Sequence, residues 1–234
     1  MIATQDISKT INNKKLFKFI NLIIEDKKIT GLLGANGAGK TSLFRAIAGL
    51  TKIDSGKLML NGKDVTNLNL EQRAKLGLSY VPQENSLFEE LNLIENIKLV
   101  MELKFDAITK DQEKKLSSLL DKMGLSKKAD TKAKFLSGGE KRKAEILRSI
   151  LLDAKVLLLD EPFAGVDPIS VDEINKILKE LSKDIAIFIS DHNFRDVINV
   201  CDKIILMNQG EILSEGDPAQ ISNDPLAKKF YFGE

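Results

Sequence analysis

Residues Gly34 to Ser42 read GANGAGKTS, and no other stretch constrains the chain as tightly. An apolar run, Lys28-Ile29-Thr30-Gly31-Leu32-Leu33, precedes it with the composition of a buried strand; Leu43 to Leu50 follows with that of a helix. A strand, a G-x-x-x-x-G-K-T loop and a helix in that order build a cradle for phosphate. Glycines at 34, 37 and 39 let backbone N–H groups converge without a Cβ between them, at a helix end that attracts anions. Asn36, Ala38 and Ser42 complete the loop, Lys40 supplies a point charge, and the Thr41 hydroxyl is a ligand for Mg²⁺. A glycine-rich turn that merely holds a lysine would need neither neighbour.

Such a unit calls for further parallel strands, and 234 residues suffice for one large domain with an insertion. Thirty-five basic residues against 34 acidic ones leave a net charge of +1, so no dominant electrostatic partner such as nucleic acid is expected. No apolar run approaches the ~20 residues that span a bilayer, and the first residues lack the apolar stretch of a signal peptide. A cytoplasmic protein is expected, with any membrane role exercised through a partner. Cys201, the only cysteine, reads as a small buried hydrophobe.

Two antiparallel strands are predicted over 1–7 and 17–24, with a hairpin from Lys57 through Asn61-Gly62 to Val65. Capping boxes at Asn69/Gln72, Asn92/Glu95 and Thr109/Gln112 open helices, and another helix is expected from about Ser137 to Leu152. Residues 85–150 thus form a helical insertion in an α/β frame. Val156 to Asp160 and Ile185 to Ile189 read as strands buried on both faces. Between them a helix over 170–183 is predicted from a Ser170/Glu173 box. A hairpin over 203–213 and short helices from Pro218 and from Pro225 to Tyr231 close the chain.

Asp160-Glu161 ends a buried strand, beside the phosphate loop in any parallel sheet. There Asp160 can hold Mg²⁺ through water, and Glu161 can orient and deprotonate an attacking water.

With these residues stand Leu136-Ser137-Gly138-Gly139-Glu140, Gln83 after Tyr80-Val81-Pro82, Ala164-Gly165-Val166-Asp167, and His192, the only histidine. In this order they resemble the signature motif, Q-loop, D-loop and switch histidine of ABC-transporter ATPase subunits, and the resemblance spans the chain. It implies an α/β P-loop NTPase fold: one ABC-type nucleotide-binding domain over 1–234, with an antiparallel β subdomain and the helical insertion. It implies ATP and Mg²⁺ as ligands, with Glu161, His192 and Gln83 catalytic and Thr41, Gln83 and Asp160 at the metal. Two copies would sandwich ATP, each offering Ser137, Gly138, Gly139 and Glu140 to the nucleotide of the other, with Asp167 coupling the sites. Two membrane permease subunits would dock coupling helices near Phe88 and Leu91, placing the pair on the cytoplasmic face of the inner membrane. Where the family stacks an aromatic ring on adenine, this chain has Ile11, which implies weaker base discrimination.

Within the family, the run Asp160 to Val171 (DEPFAGVDPISV), Pro82 to Phe88, Ser190-Asp191-His192-Asn193 and the closing Phe230 to Glu234 resemble the lipopolysaccharide-export branch. The ATPases of branched-chain amino-acid importers and the soluble ABC ATPase of iron–sulfur cluster assembly are the alternatives.

Overall fold

A computed structural model describes residues 1–105 and 107–229. Strands β1 (Ile2–Ile11), β2 (Lys14–Ile24), β4 (Ser55–Leu60) and β5 (Lys63–Asp64) form an antiparallel sheet in the order β2-β1-β4-β5. The first hairpin turns on Asn12-Asn13 alone, both with positive φ, so its strands run longer than expected.

The second sheet has the order β10-β9-β3-β8-β7-β6, with β3 (Ile29–Leu33), β6 (Leu78–Val81), β7 (Val156–Asp160), β8 (Ala186–Asp191), β9 (Lys203–Asn208) and β10 (Glu211–Gly216). From β9 to β6 the neighbours are parallel; β10 returns antiparallel to β9. Every residue of β3, β7 and β8 is buried, as the unbroken apolar runs require. Alternation along these strands feeds two cores. Leu32, Leu158 and Phe188 face the antiparallel sheet and helix α1 (Lys40–Ala48), whereas Leu33, Leu159 and Ile189 face the helices on the other side.

Helix α1 is fixed at its middle and at its C-terminal end. Phe44 stacks on Phe188 with ring centroids 4.5 Å apart, a contact worth ~0.5–1.5 kcal/mol beyond burial. At its C-terminus the buried Arg73, from α2 (Leu70–Lys75), donates to the carbonyls of Ala46 (2.7 Å) and Ile47 (2.6 Å). Burial pushes the Arg73 guanidinium down to about 10.

Between β6 and β7 the chain forms α3 (Leu93–Lys104), α4 (Lys110–Lys122) and α5 (Gly138–Leu151), opened by capping boxes at Asn92, Thr109 and Ser137. Ile97 and Met101 of α3 and Leu116 and Leu120 of α4 are buried in the core beside α5. Helix α6 (Pro168–Leu181) corrects the sequence reading: Asp167, not Ser170, is the N-cap, accepting from the Ser170 N–H at 3.0 Å. Proline at the first helical position fixes that start, and Glu173 pairs with Lys143 instead of closing a box. A helix α7 (Phe194–Val200) that the sequence reading did not include follows β8, and α8 (Pro218–Asn223) and α9 (Pro225–Ala227) end the described chain. The closing Phe230 to Glu234 lies outside the described residues. Among those described, no helix is long and apolar enough to cross a membrane.

Candidate active site

The carboxyl ends of β3, β6, β7 and β8 meet at one edge of the parallel sheet, where ligands bind in open α/β folds. A cleft of ≈ 670 Å³ opens there, lined by residues of the phosphate loop together with Gln83, Glu161 and His192. That volume suits a nucleotide-sized ligand.

The loop glycines are needed for two different reasons. Gly37 takes a φ of +82° in open space, whereas a Cβ on Gly39 (φ +106°) would lie 2.5 Å from the Leu16 carbonyl oxygen. Gly34 is equally tight, its Cβ falling 2.6 Å from the Met207 carbonyl. Ala38 is buried behind the loop and accepts from the Gly210 N–H at 2.9 Å. Gly39 is the N-cap of α1 and has no side chain to offer, so the first N–H groups of the helix face the cleft without a cap.

Lys40, 4% exposed, donates to the carbonyls of Gly34 (2.7 Å) and Ala35 (3.3 Å) and lies 3.5 Å from Oε1 of Glu161. The other carboxylate oxygen of Glu161 accepts from Gln83 Nε2 at 3.0 Å and stands 3.5 Å from His192 Nδ1. Glu161 itself has a φ of +45°, and its N–H donates to the Ser190 carbonyl at 2.9 Å. His192 is aimed by Asp191, whose Oδ1 accepts the N–H groups of His192 (2.7 Å) and Asn193 (2.9 Å). Burial holds the Asp191 carboxyl above its usual range.

Asp160 is wholly buried and surrounded by hydroxyls. Thr41 donates to its Oδ1 at 3.3 Å, Ser190 donates to the same oxygen, and Tyr80 donates to Oδ2 at 3.2 Å. Among the described residues there is no cluster of three or more His, Cys, Asp or Glu that could cage a metal. One carboxylate, one hydroxyl and the Gln83 amide are hard oxygen donors too few to complete a shell. That set fits a cation such as Mg²⁺, which keeps several waters and binds through substrate phosphates.

Other expected contacts lie elsewhere. Ser137, Gly138, Gly139, Glu140 and Asp167 do not line the cleft. Ser137 and Glu140 close a capping box on α5, which satisfies two of its terminal N–H groups and leaves those of Gly138 and Gly139 without a cap. Within the single chain the Glu140 carboxylate accepts from the Ser137 N–H (2.8 Å) and pairs with Lys128 (3.2 Å). Gly138 abuts the segment before α6 and Gly139 its first turn: a Cβ on Gly138 would be 3.0 Å from the Gly165 carbonyl, and one on Gly139 2.4 Å from Ser170 Cβ. Ile11, expected against a base, is 46% exposed at the end of β1; Lys14, Lys15 and Leu16 line the cleft from that hairpin instead.

Sequence reading missed a buried network on α5. Arg142 donates to the carbonyls of Pro82 (2.8 Å), Pro162 (3.2 Å) and Glu161 (3.2 Å) and pairs with Glu145 at 3.0 Å. Glu145 accepts the N–H and hydroxyl of Ser86, and Arg148 donates to the Ser86 carbonyl and hydroxyl. Nearby, the buried Asn96 bonds both the N–H (2.7 Å) and the carbonyl (3.0 Å) of Phe88, whose ring is 54% exposed; Leu91 is half-buried.

A family profile described as ABC transporter matches residues 17–164. The chain is 37% identical over 235 residues to the lipopolysaccharide export system ATP-binding protein LptB of Haemophilus influenzae, covering 100% of this chain and 98% of that protein. It is 34% identical to the protein of the same name from Escherichia coli K12, covering 100% and 97%. Among solved structures, the ADP conformation of an ATP-binding cassette of an ABC transporter superposes with a TM-score of 0.90 at 28% identity, covering 100% of this chain and 99% of the other. Matched by the profile over most of its length and by these relatives end to end, the chain belongs to the ABC transporter family.

Proposed function

We propose that this protein is the ATP-hydrolysing subunit of a transporter that draws lipopolysaccharide from the inner membrane toward the outer membrane. The observation that carries the ATPase reading is the convergence of Lys40, Gln83 and His192 on the Glu161 carboxylate, at the mouth of the phosphate loop. The cargo reading is supported by the names of the full-length relatives. The whole chain acts as one cassette, with residues 85–150 as its inserted helical subdomain.

The N–H groups of the phosphate loop and Lys40 bind the phosphates of ATP, and Asn36 and Ser42 help shape the cradle. Thr41, Asp160 and Gln83 hold Mg²⁺, which when bound neutralises the phosphate oxygens. Glu161 orients water and takes its proton, and His192, beside that carboxylate, contacts the γ-phosphate. Each copy leaves the uncapped N–H groups of Gly138 and Gly139 for a second copy's nucleotide, because none of that helix tip lines its own cleft. A homodimer closed by ATP and reopened by hydrolysis follows, with Asp167 between the two sites. The Phe88 ring, presented by Asn96, receives a coupling helix from each of two membrane permease subunits. The pair therefore works peripherally on the cytoplasmic face, without entering the bilayer and without nucleic acid.

The test uses Glu161→Gln. This variant is expected to bind ATP, lose turnover by ~10²-fold or more, and elute as a dimer only with ATP. Recovered from native membranes with ATP, it is expected to carry the lipopolysaccharide permeases. Parental turnover refutes the role of Glu161, and recovery of a different permease refutes the cargo.

A further inference from the structure

The carboxyl end of β6 reaches both acids of the site. Three residues apart on one strand and the turn after it, Tyr80 donates to Asp160 Oδ2 at 3.2 Å and Gln83 donates to Glu161 Oε2 at 3.0 Å. Parallel register sets Tyr80 opposite Leu158 on β7, two residues before Asp160, and sets Ser190 of β8 opposite Asp160 itself. The carboxylate is thus gripped from strands on either side: the phenol takes Oδ2 and the Ser190 hydroxyl takes Oδ1.

Three hydroxyls surround Asp160, and they are not equivalent. Thr41 lies in the first turn of helix α1 and lines the cleft. Tyr80 and Ser190 are held by their strands and do not line the cleft. Among the described residues, Tyr80 is the one donor to Oδ2 of a carboxylate that has no exposed surface.

We infer that Tyr80 is a positioning residue for the cation site: its hydroxyl holds the Asp160 carboxylate in the orientation that keeps Oδ1 against Thr41, and so sets the affinity for a divalent cation. The inference rests on the nucleotide and Mg²⁺ reading above. Residues that orient a metal ligand from behind commonly contribute 10- to 100-fold to affinity. Tyr80→Phe removes the hydroxyl and keeps the ring, so packing against Leu158 and its neighbours is retained.

The experiment measures Mn²⁺ binding to the full chain by electron paramagnetic resonance, at saturating ADP, for the parent and for Tyr80→Phe. Metal-free ADP binding is measured beside it. Expected are an approximately tenfold rise in the Mn²⁺ Kd for Tyr80→Phe, metal-free ADP affinity within about twofold of the parent, and a matching rise in the Mg²⁺ concentration for half-maximal ATP hydrolysis. Ser190→Ala should shift the Mn²⁺ Kd in the same direction. In an Asp160→Asn background, Tyr80→Phe should add nothing. A Mn²⁺ Kd unchanged within twofold in Tyr80→Phe overturns the role of Tyr80 and leaves the ATPase reading standing. A parent chain that binds Mn²⁺ no better with ADP than without it overturns the cation reading, and the role of Tyr80 with it.

Discussion

Arg142→Met tests whether the polar network on α5 holds the site together. The substitution keeps most of the side chain's bulk and deletes a guanidinium that is 5% exposed. Glu145, 3% exposed, then loses its direct ion pair and keeps the N–H and hydroxyl of Ser86, with Arg148 reaching it only through that hydroxyl. Breaking a buried pair from one side costs about 3–5 kcal/mol, because the remaining charge stays out of water. The carbonyls of Pro82, Pro162 and Glu161 lose a donor as well, although a site that relaxes recovers part of that loss. About 4 kcal/mol is expected, a large share of the ~5–15 kcal/mol that holds a domain folded. With a urea m-value of about 3 kcal/mol/M, the unfolding midpoint falls by about 1.3 M. Adding Glu145→Gln removes the stranded charge, so the double variant should regain about 1–3 kcal/mol relative to the sum of the singles. A midpoint shift under about 0.3 M for Arg142→Met, or strict additivity in the double variant, would refute the assignment of a coupled buried pair.

Gly139→Ala is expected to cost about 1–3 kcal/mol by overpacking, since its Cβ would sit 2.4 Å from that of Ser170. Ser170→Gly in the same chain should restore most of the loss in thermal melting; a melting point unmoved by Gly139→Ala would show that the two segments are not tightly apposed. Ile11→Tyr places a ring beside the hairpin residues that line the cleft, and a stacked base gains ~0.5–1.5 kcal/mol, or about 2- to 12-fold in ATP affinity. Equilibrium binding of ATP and GTP checks this, and unchanged values for both rule out Ile11 as the base-facing position.

Local signals were legible where one residue type decides the backbone. Asn69, Asn92, Thr109 and Ser137 each start a helix with the partner three residues on that their sequences announce. At α6 two such signals overlap, and Pro168 decides in favour of Asp167 because its ring already has the helical φ. Helix α7 was missed since Phe194–Val200 is only seven residues long and rich in β-branched side chains, a composition shared with strands. The site divides in the same way. Lys40, Asp160 and Glu161 sit in contiguous motifs, whereas Tyr80 reaches a carboxylate 80 positions away and Arg142 gathers carbonyls from two distant turns. In sequence, Arg142 and Glu145 are an ordinary i, i+3 helix pair, and nothing local distinguishes a buried pair from a solvated one.

The left-handed backbone at Glu161 has a mechanical consequence. A non-glycine residue there pays ~1–2 kcal/mol, and Pro162 closes the escape into the right-handed helical region. Its N–H is tied to Ser190 and its carbonyl to Arg142, so the main chain is pinned from two sides. The glutamate is therefore a stationary post. Gln83 and His192 reach this post from the connections that follow β6 and β8, so any change in those connections is read against a fixed main chain.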